Sequence, residues 1–250
     1  MRKVRGWKRD HKDPRDLRFK IIAPSSRKAS SDLRSIAPLV RNQGDEGDCT
    51  GYGTTSIVMG LEKKDGKDQI ILSSQFSYYH GLLLSGGPIT DDGCEIRNVI
   101  KGAVQYGVCS ELLWPTRKET FGKEPNKDCY AFATNHQVTY YFRLHGLDDI
   151  RGCLSDGFPV VFGASLYSNF DKVGSDGMLG MPKGEYEGGH CMSFWGHNDS
   201  TKILTVMNSW GDDWGDKGYL YIPYDYVEKL DQDGVPLVTD CWTIRTAENM

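Results

Sequence analysis

The chain has 250 residues, 38% hydrophobic and 26% charged, with a formal net charge of −4. This length suits one large domain or two modest ones around a sizeable core, and the composition is that of an ordinary globular protein. The slight negative balance gives no global pull toward nucleic acid, and no apolar run approaches the roughly 20 residues of a membrane-spanning helix.

The N-terminus is the one uneven region. Residues 1–20 carry nine Lys or Arg (Arg2, Lys3, Arg5, Lys8, Arg9, Lys12, Arg15, Arg18, Lys20) against Asp10, Asp13 and Asp16. No apolar stretch follows this basic start, so it does not read as a secretion signal. The plain reading is a solvated basic arm, and the other is an arm that docks on an acidic partner or nucleic acid. Pro14, Pro24, Ser25, Ser26, Ser30 and Ser31 break any periodicity, so residues 1–40 are expected to be extended or irregular.

The run Asn42-Gln43-Gly44-Asp45-Glu46-Gly47-Asp48-Cys49-Thr50 then delivers one cysteine to the start of a buried helix over 49–64. The residues that follow Cys49 are small, and Ile57, Val58 and Leu61 recur at helical spacing. A helix N-terminus carries partial positive charge and unpaired N–H groups. A thiol placed there loses its proton more easily, and the thiolate is the nucleophile. Gln43, six residues upstream, can swing its amide beside the sulfur as an oxyanion donor.

A second helix is expected from a Ser73 or Ser74 cap to about Leu84. A third follows from Ile96, Val99, Ile100, Ala103 and Val104, spaced i, i+3, i+4, i+7, i+8, with Gly107 as its stop. Residues 110–135 read as a long loop, and a short helix is expected from Asp148, as cap, to Ser155. The period then changes. Pro159 to Ala164, His190 to Trp195, Ile203 to Met207 and Gly218 to Ile222 are strand candidates. Helices first and strands later argue for an α+β protein with two lobes.

Cys49 needs a base, and six histidines are available. His190 follows two glycines and opens an apolar strand, which suits a ring facing a cleft. Asn208 ends the next apolar run, and adjacent antiparallel strands can set residues 18 positions apart side by side. An Asn amide there would hold the imidazole in one tautomer. His11, His80, His136, His145 and His197 read as surface or satisfied polar residues. No Cys-x-x-Cys pair or His-Glu-x-x-His run exists, so no metal site is expected, and no cofactor.

These segments resemble the papain-like cysteine peptidases, the C1 family. Gln43 to Cys49 resembles the family's oxyanion glutamine and nucleophile, Gly189-His190 its base, Leu72-Ser73-Ser74-Gln75 its second-helix entry, and Asn208-Ser209-Trp210-Gly211 its Asn-Ser-Trp-Gly segment. The similarity runs from about Ser31 to the strand near Ile222. It is closest to the compact prokaryotic and viral type, whose Gly-Trp…Asp-Pro-Arg-Asp arm is matched by Gly6-Trp7 and Asp13-Pro14-Arg15-Asp16.

The resemblance implies a papain-like α+β fold with a helical left lobe, an antiparallel β-barrel-like right lobe, and an active site in the cleft between them. Residues 1–30 would be the arm and 31–250 the catalytic domain, its helical lobe about 45–135 and its β-rich lobe about 136–250. Cys49 would be the nucleophile, His190 the base, Asn208 its orienter and Gln43 an oxyanion donor. Trp210 would shield the His190–Asn208 bond, with Gly93 and Gly189 at the substrate edge.

The function implied is peptide-bond hydrolysis by a thiol endopeptidase. The alternatives are a silent binding protein on the same fold, or an isopeptidase or transamidase using the same thiol. A protein or peptide substrate is expected, with no nucleic acid or membrane partner, a monomeric state, and a cytoplasmic or virion- or host-associated location. The arm is expected to pack along the body.

The chain also departs from the family. Glu46 replaces a cysteine of a usual disulfide, Thr50 replaces an aromatic, and Asp45, Glu46 and Asp48 bring negative charge that opposes thiolate formation. Cys191, next to His190, should point to the opposite face of its strand, into the core. A structural role is expected for Cys94.

Overall fold

The computed structural model describes residues 6–19 and 27–246. In chain order the elements begin with two short strands, β1 (Trp7–Lys8) and β2 (Ser30–Asp32). The helical part follows as α1 (Cys49–Lys64), α2 (Ser74–Leu84), β3 (Cys94–Glu95), α3 (Ile96–Gln105) and α4 (Lys127–Ala133). The second half holds β4 (Tyr140–Leu144), α5 (Gly146–Ser155), β5 (Val160–Tyr167), β6 (Tyr186–Asn198), β7 (Ile203–Met207), β8 (Tyr219–Pro223), α6 (Asp225–Glu228) and β9 (Val238–Arg245).

The main sheet runs β4-β9-β5-β6-β7-β8, with β2 added beside β6. Every pairing in it is antiparallel. The period of two along β5 sorts its side chains between two cores. Val160, Phe162 and Ala164 enter one, where the Phe162 and Phe194 rings stack at 3.8 Å. Val161 enters the other, with Cys191, Trp195 and Trp242 from the sheet and Ile57 and Leu61 from α1.

α1 is buried almost all round, from Cys49 to Glu62. Two of its small polar side chains bond back to the helix itself, while the Thr50 and Thr54 hydroxyls are buried with no partner among the described residues. The Thr55 hydroxyl donates to the Gly51 carbonyl at 2.9 Å, and the Ser56 hydroxyl to that of Gly53 at 2.7 Å. The sheet approaches so closely that a Cβ on Gly53 would lie 2.8 Å from the Cys191 sulfur. This packing brings the start of α1 against the middle of β6.

α1, α2 and α3 lie where periodicity and caps put them. The Ser73 hydroxyl caps α2 by accepting the Phe76 N–H at 3.0 Å. Gly107, at φ +77°, follows α3. Three expectations are corrected. The stretch read as loop contains α4, whose start is capped by the Asn126 side chain accepting from Asp128 and Cys129 N–H groups. α5 begins two residues before Asp148, with His145 at its cap position, and Asp149 accepts the His145 N–H at 2.8 Å. Strands β4 and β9 went unrecognised. Arg2, Lys3, Arg5, Lys20, Pro24, Ser25 and Ser26 lie outside the described residues. No helix among the described residues is long and apolar enough to cross a membrane.

Candidate active site

Cys49 is the first residue of α1 and is fully buried. Backbone N–H groups of Cys191, Gly6 and Thr50 lie near enough to its sulfur to favour the ionised form. The Cys191 contact brings the thiol to the residue next to His190. Burial, with a push from the Asp48 carboxyl and against the pull of those N–H groups, raises the thiol to about 12. With this much desolvation the thiol form dominates at neutral pH.

His190 lies in β6, paired with Ala164 of β5. Asn208 follows β7 directly, and the two side chains meet at 2.8 Å between His190 Nε2 and Asn208 Oδ1. Trp210 covers the pair, with its ring 5.1 Å from the imidazole, and is itself packed between Phe170 and Trp214. Asn208 Oδ1 also accepts the Ser209 N–H at 2.8 Å, which fixes the amide's orientation.

Gln43 is buried in the turn before α1. Its Nε2 donates to the Glu46 carbonyl at 2.8 Å, and its Oε1 accepts the Ser209 hydroxyl at 2.6 Å. The glutamine therefore ties the turn before Cys49 to the strand-rich half. Glu46, where the family has a half-cystine, accepts from the Gln75 amide at 3.2 Å. All seven cysteines are thiols. Two of the acids expected beside Cys49 are shifted toward their neutral form. Burial raises Glu46, and it raises Asp48 well above the ordinary carboxylate value. Neither Asp48 oxygen has a hydrogen-bond partner among the described residues.

Gly93 borders the same cleft. The Gly47 N–H donates to Asp91 at 2.9 Å, Tyr78 donates to Asp91 at 3.0 Å, and the Gly93 N–H donates to the Tyr78 hydroxyl at 3.0 Å. This relay fixes Gly93 relative to the turn before Cys49. Cys191 is buried in the α1–sheet core, and Cys94 among Tyr78, Leu82 and Val99. Both match a structural role. His80, His136 and His197 are buried with polar partners.

The arm fills the cleft. β1 pairs in parallel with β3, and the Cys94 N–H donates to the Gly6 carbonyl at 2.8 Å. A Cβ on Gly6 would fall 1.7 Å from the Gly47 carbonyl oxygen, so only glycine fits over the turn. The Trp7 indole lies on two further glycines. A Cβ on Gly163 would sit 2.0 Å from it and one on Gly189 2.6 Å. Acidic rather than basic residues carry most of the attachment. Asp10 accepts from Arg143 at 2.7 Å and from the Trp242 indole at 2.7 Å, while Asp16 accepts from Arg143 at 2.9 Å and Arg97 at 3.1 Å. Arg143 also donates to Asp240 at 2.9 Å. β9 carries an extra residue against β5 here, and Asp240 takes φ +48°, the bulge that turns its carboxylate to the arm. The signal for this docking in the sequence was Gly6-Trp7 and the Asp13 to Asp16 run. Their partners Gly163, Arg97 and Arg143 carried none.

The comparisons with known proteins agree. The profile described as "Papain family cysteine protease" matches residues 26–232. An uncharacterized peptidase C1-like protein of Acanthamoeba polyphaga mimivirus is 33% identical over 234 residues, covering 86% of this chain and 73% of that protein. Chymomexicain of Jacaratia mexicana is 28% identical, over 76% of this chain and 85% of that protein. The crystal structure of xylellain, a cysteine protease from Xylella fastidiosa, superposes with a TM-score of 0.85 at 28% identity, covering 98% of this chain and 97% of that one.

Proposed function

Since the chain belongs to the papain family of cysteine proteases, we propose that it hydrolyses bonds inside peptide chains with Cys49 as nucleophile, His190 as base and acid, and Asn208 as the group that orients His190. The Gln43 amide and the Cys49 backbone N–H would hold the oxyanion. Gly93 and Gly189 would border the bound substrate, and Trp210 would keep water from the His190–Asn208 bond.

The supporting observation is the 2.8 Å contact of His190 Nε2 with Asn208 Oδ1. An amide oxygen accepts, so Nε2 carries the proton in that bond and exchange with the thiol runs through Nδ1. The Cys49 proton passes to Nδ1, and the thiolate attacks the carbonyl carbon. The oxyanion forms where backbone and amide N–H groups converge. His190 then protonates the leaving amine, and the acyl group stays on sulfur. Next His190 removes a proton from water, which attacks the thioester and restores the thiol. Endopeptidase action is supported by the arm itself, since Gly6, an internal residue, lies over the sulfur.

The chain with its arm docked is a latent enzyme, because substrate and arm compete for one groove. Thiols at all seven cysteines support work in a reducing compartment, cytoplasmic or associated with a virion or host cell.

An epoxide inhibitor of papain-like enzymes tests the reading. It should add once, at Cys49, slowly in the native chain and at least tenfold faster when Trp7→Ala loosens the arm. Absence of an adduct, or an adduct on another cysteine, would sink the nucleophile assignment.

A further inference from the structure

The arm crosses the groove as an extended peptide, and its side chains alternate. Trp7 points in and is buried, Lys8 points out to solvent, and the Arg9 side chain, 36% exposed, turns its guanidinium back onto the body. Residues i and i+2 of an extended chain lie about 7 Å apart on one side. Gly163 and Ser165, two apart on β5, share a face in the same way, and Ser165 pairs with Gly189. The groove thus has two consecutive seats, one holding Trp7 and one holding Arg9.

The second seat is built for a cation. The Arg9 guanidinium donates to Ser165 Oγ at 3.3 Å and to Asp231 Oδ2. Asp231 is held from behind, since its Oδ1 accepts the Asp233 N–H at 2.9 Å and the Val235 N–H at 3.0 Å. Ser165 Oγ lies 3.3 Å from Oδ2. The Asp231 side chain is only 3% exposed beneath Arg9. Burial pushes this carboxyl up, but the Val235 N–H, the Arg9 guanidinium and the Asp233 N–H outweigh it and hold it below the ordinary value. The anion is therefore fixed by the loop before β9, and Oδ2 is aimed into the groove whichever chain lies there.

We infer that Asp231, with Ser165, is a specificity-determining subsite that binds the guanidinium of an arginine in the substrate peptide. The inference rests on the peptidase reading above, because it takes the arm's path as the substrate's groove. A preoriented carboxylate selects a guanidinium through charge-assisted hydrogen bonds. It discriminates against a neutral isostere because the isostere leaves a desolvated anion unpaired. The bulky apolar seat on Gly163 and Gly189 lies beside it, so the favoured substrates combine a large apolar residue and an arginine two positions apart.

The test uses the full chain with Trp7→Ala and Arg9→Ala, which empties both seats. Fluorogenic peptides carry a large apolar residue and, two positions away on either side, arginine or its neutral isostere citrulline. Arginine should win by about tenfold or more in kcat/KM, and Asp231→Asn should collapse that ratio toward one. Binding of the same peptides to the Cys49→Ser form, read by fluorescence anisotropy, separates the two readings. An arginine preference in binding without hydrolysis leaves the subsite standing and overturns the peptidase reading. Hydrolysis with an arginine-to-citrulline ratio near one overturns the subsite. Neither binding nor hydrolysis overturns both. The comparison of peptides on one protein needs no further variant, so poor folding of Asp231→Asn does not protect the proposal.

Discussion

At the scale of single residues, two glycines decide what the cleft can hold. Gly163 and Gly189 make the floor on which Trp7 rests, and a Cβ on Gly163 would fall inside the indole ring's contact distance at 2.0 Å. β5 and β6 are interior strands of the sheet, so the arm is the part that yields. Gly163→Ala should therefore displace Trp7 and uncover Cys49. Because burial is what holds the thiol near 12, uncovering it should lower its pKa and raise the rate of alkylation by iodoacetamide at pH 7 at least severalfold. An unchanged rate would show that the arm does not control access to the sulfur. Trp7 contributes a second fact, since its indole N–H is buried with no partner among the described residues. An unmade hydrogen bond of this kind costs roughly 1–3 kcal/mol, so the plug is held less tightly than its buried area alone would suggest.

At the scale of the element, one carboxylate of the arm, Asp10, has an unusual titration. Burial and the facing Asp240 push Asp10 up to about 7, against the pull of Arg143, Trp242 and the Arg97 N–H. Asp240, which also faces Arg143 and Glu95, is raised as well. A released arm returns Asp10 to the ordinary carboxylate value of about 4. Docking thus takes up protons. The contribution is full below about 4 and declines as the pH rises toward 7, above which it stays lost. The arm should bind more firmly at pH 5 than at pH 8, as read by hydrogen exchange of the β1 amides or by protease nicking of the arm. Loosening on acidification would contradict the assignment of Asp10 as the titrating anchor. The ion pairs with Arg143 set the geometry of docking, while desolvation of Asp10 sets its pH dependence.

At the scale of the molecule, the site exists because α1 lies flush on the sheet. Gly53 lets the helix approach until its backbone meets Cys191, the residue beside His190. Gly53→Ala should wedge the two apart, at a cost of about 1–3 kcal/mol from overpacking. Its signature would be a lowered melting temperature together with slower epoxide labelling of Cys49 in the Trp7→Ala background. Loss of stability with unaltered labelling would separate the interface from the site. The legibility of the chain follows the same physics. α3 could be read because Ile96, Ile100 and Ala103 face the α1–sheet core and Val99 the cluster beside it, and the candidates Cys49, Gln43, His190 and Asn208 stood out because four short segments resembled a known family. β9 could not, because it is buried on both faces, is interrupted by the bulge at Asp240, and shows no alternation. α4 hid behind a single cap, Asn126. The filling of the cleft was invisible because Trp7 rests on glycines, which offer no side chain to recognise. The anchors of Asp10 and Asp16 lie more than 80 positions away, in Arg97 and Arg143.

The arm is continuous with the body through the segment between Phe19 and Ser30, and that continuity has a consequence for inhibition. A tethered plug meets its groove at an effective concentration set by the chain that joins them rather than by the protein concentration. Diluting the protein does not weaken such a block. A single cut between Phe19 and Ser30 would leave every contact of β1 in place, yet would turn a unimolecular equilibrium into a bimolecular one. The severed plug would then leave at low protein concentration and stay at high concentration, so activity after the cut would rise on dilution, whereas the intact chain would remain closed at any concentration.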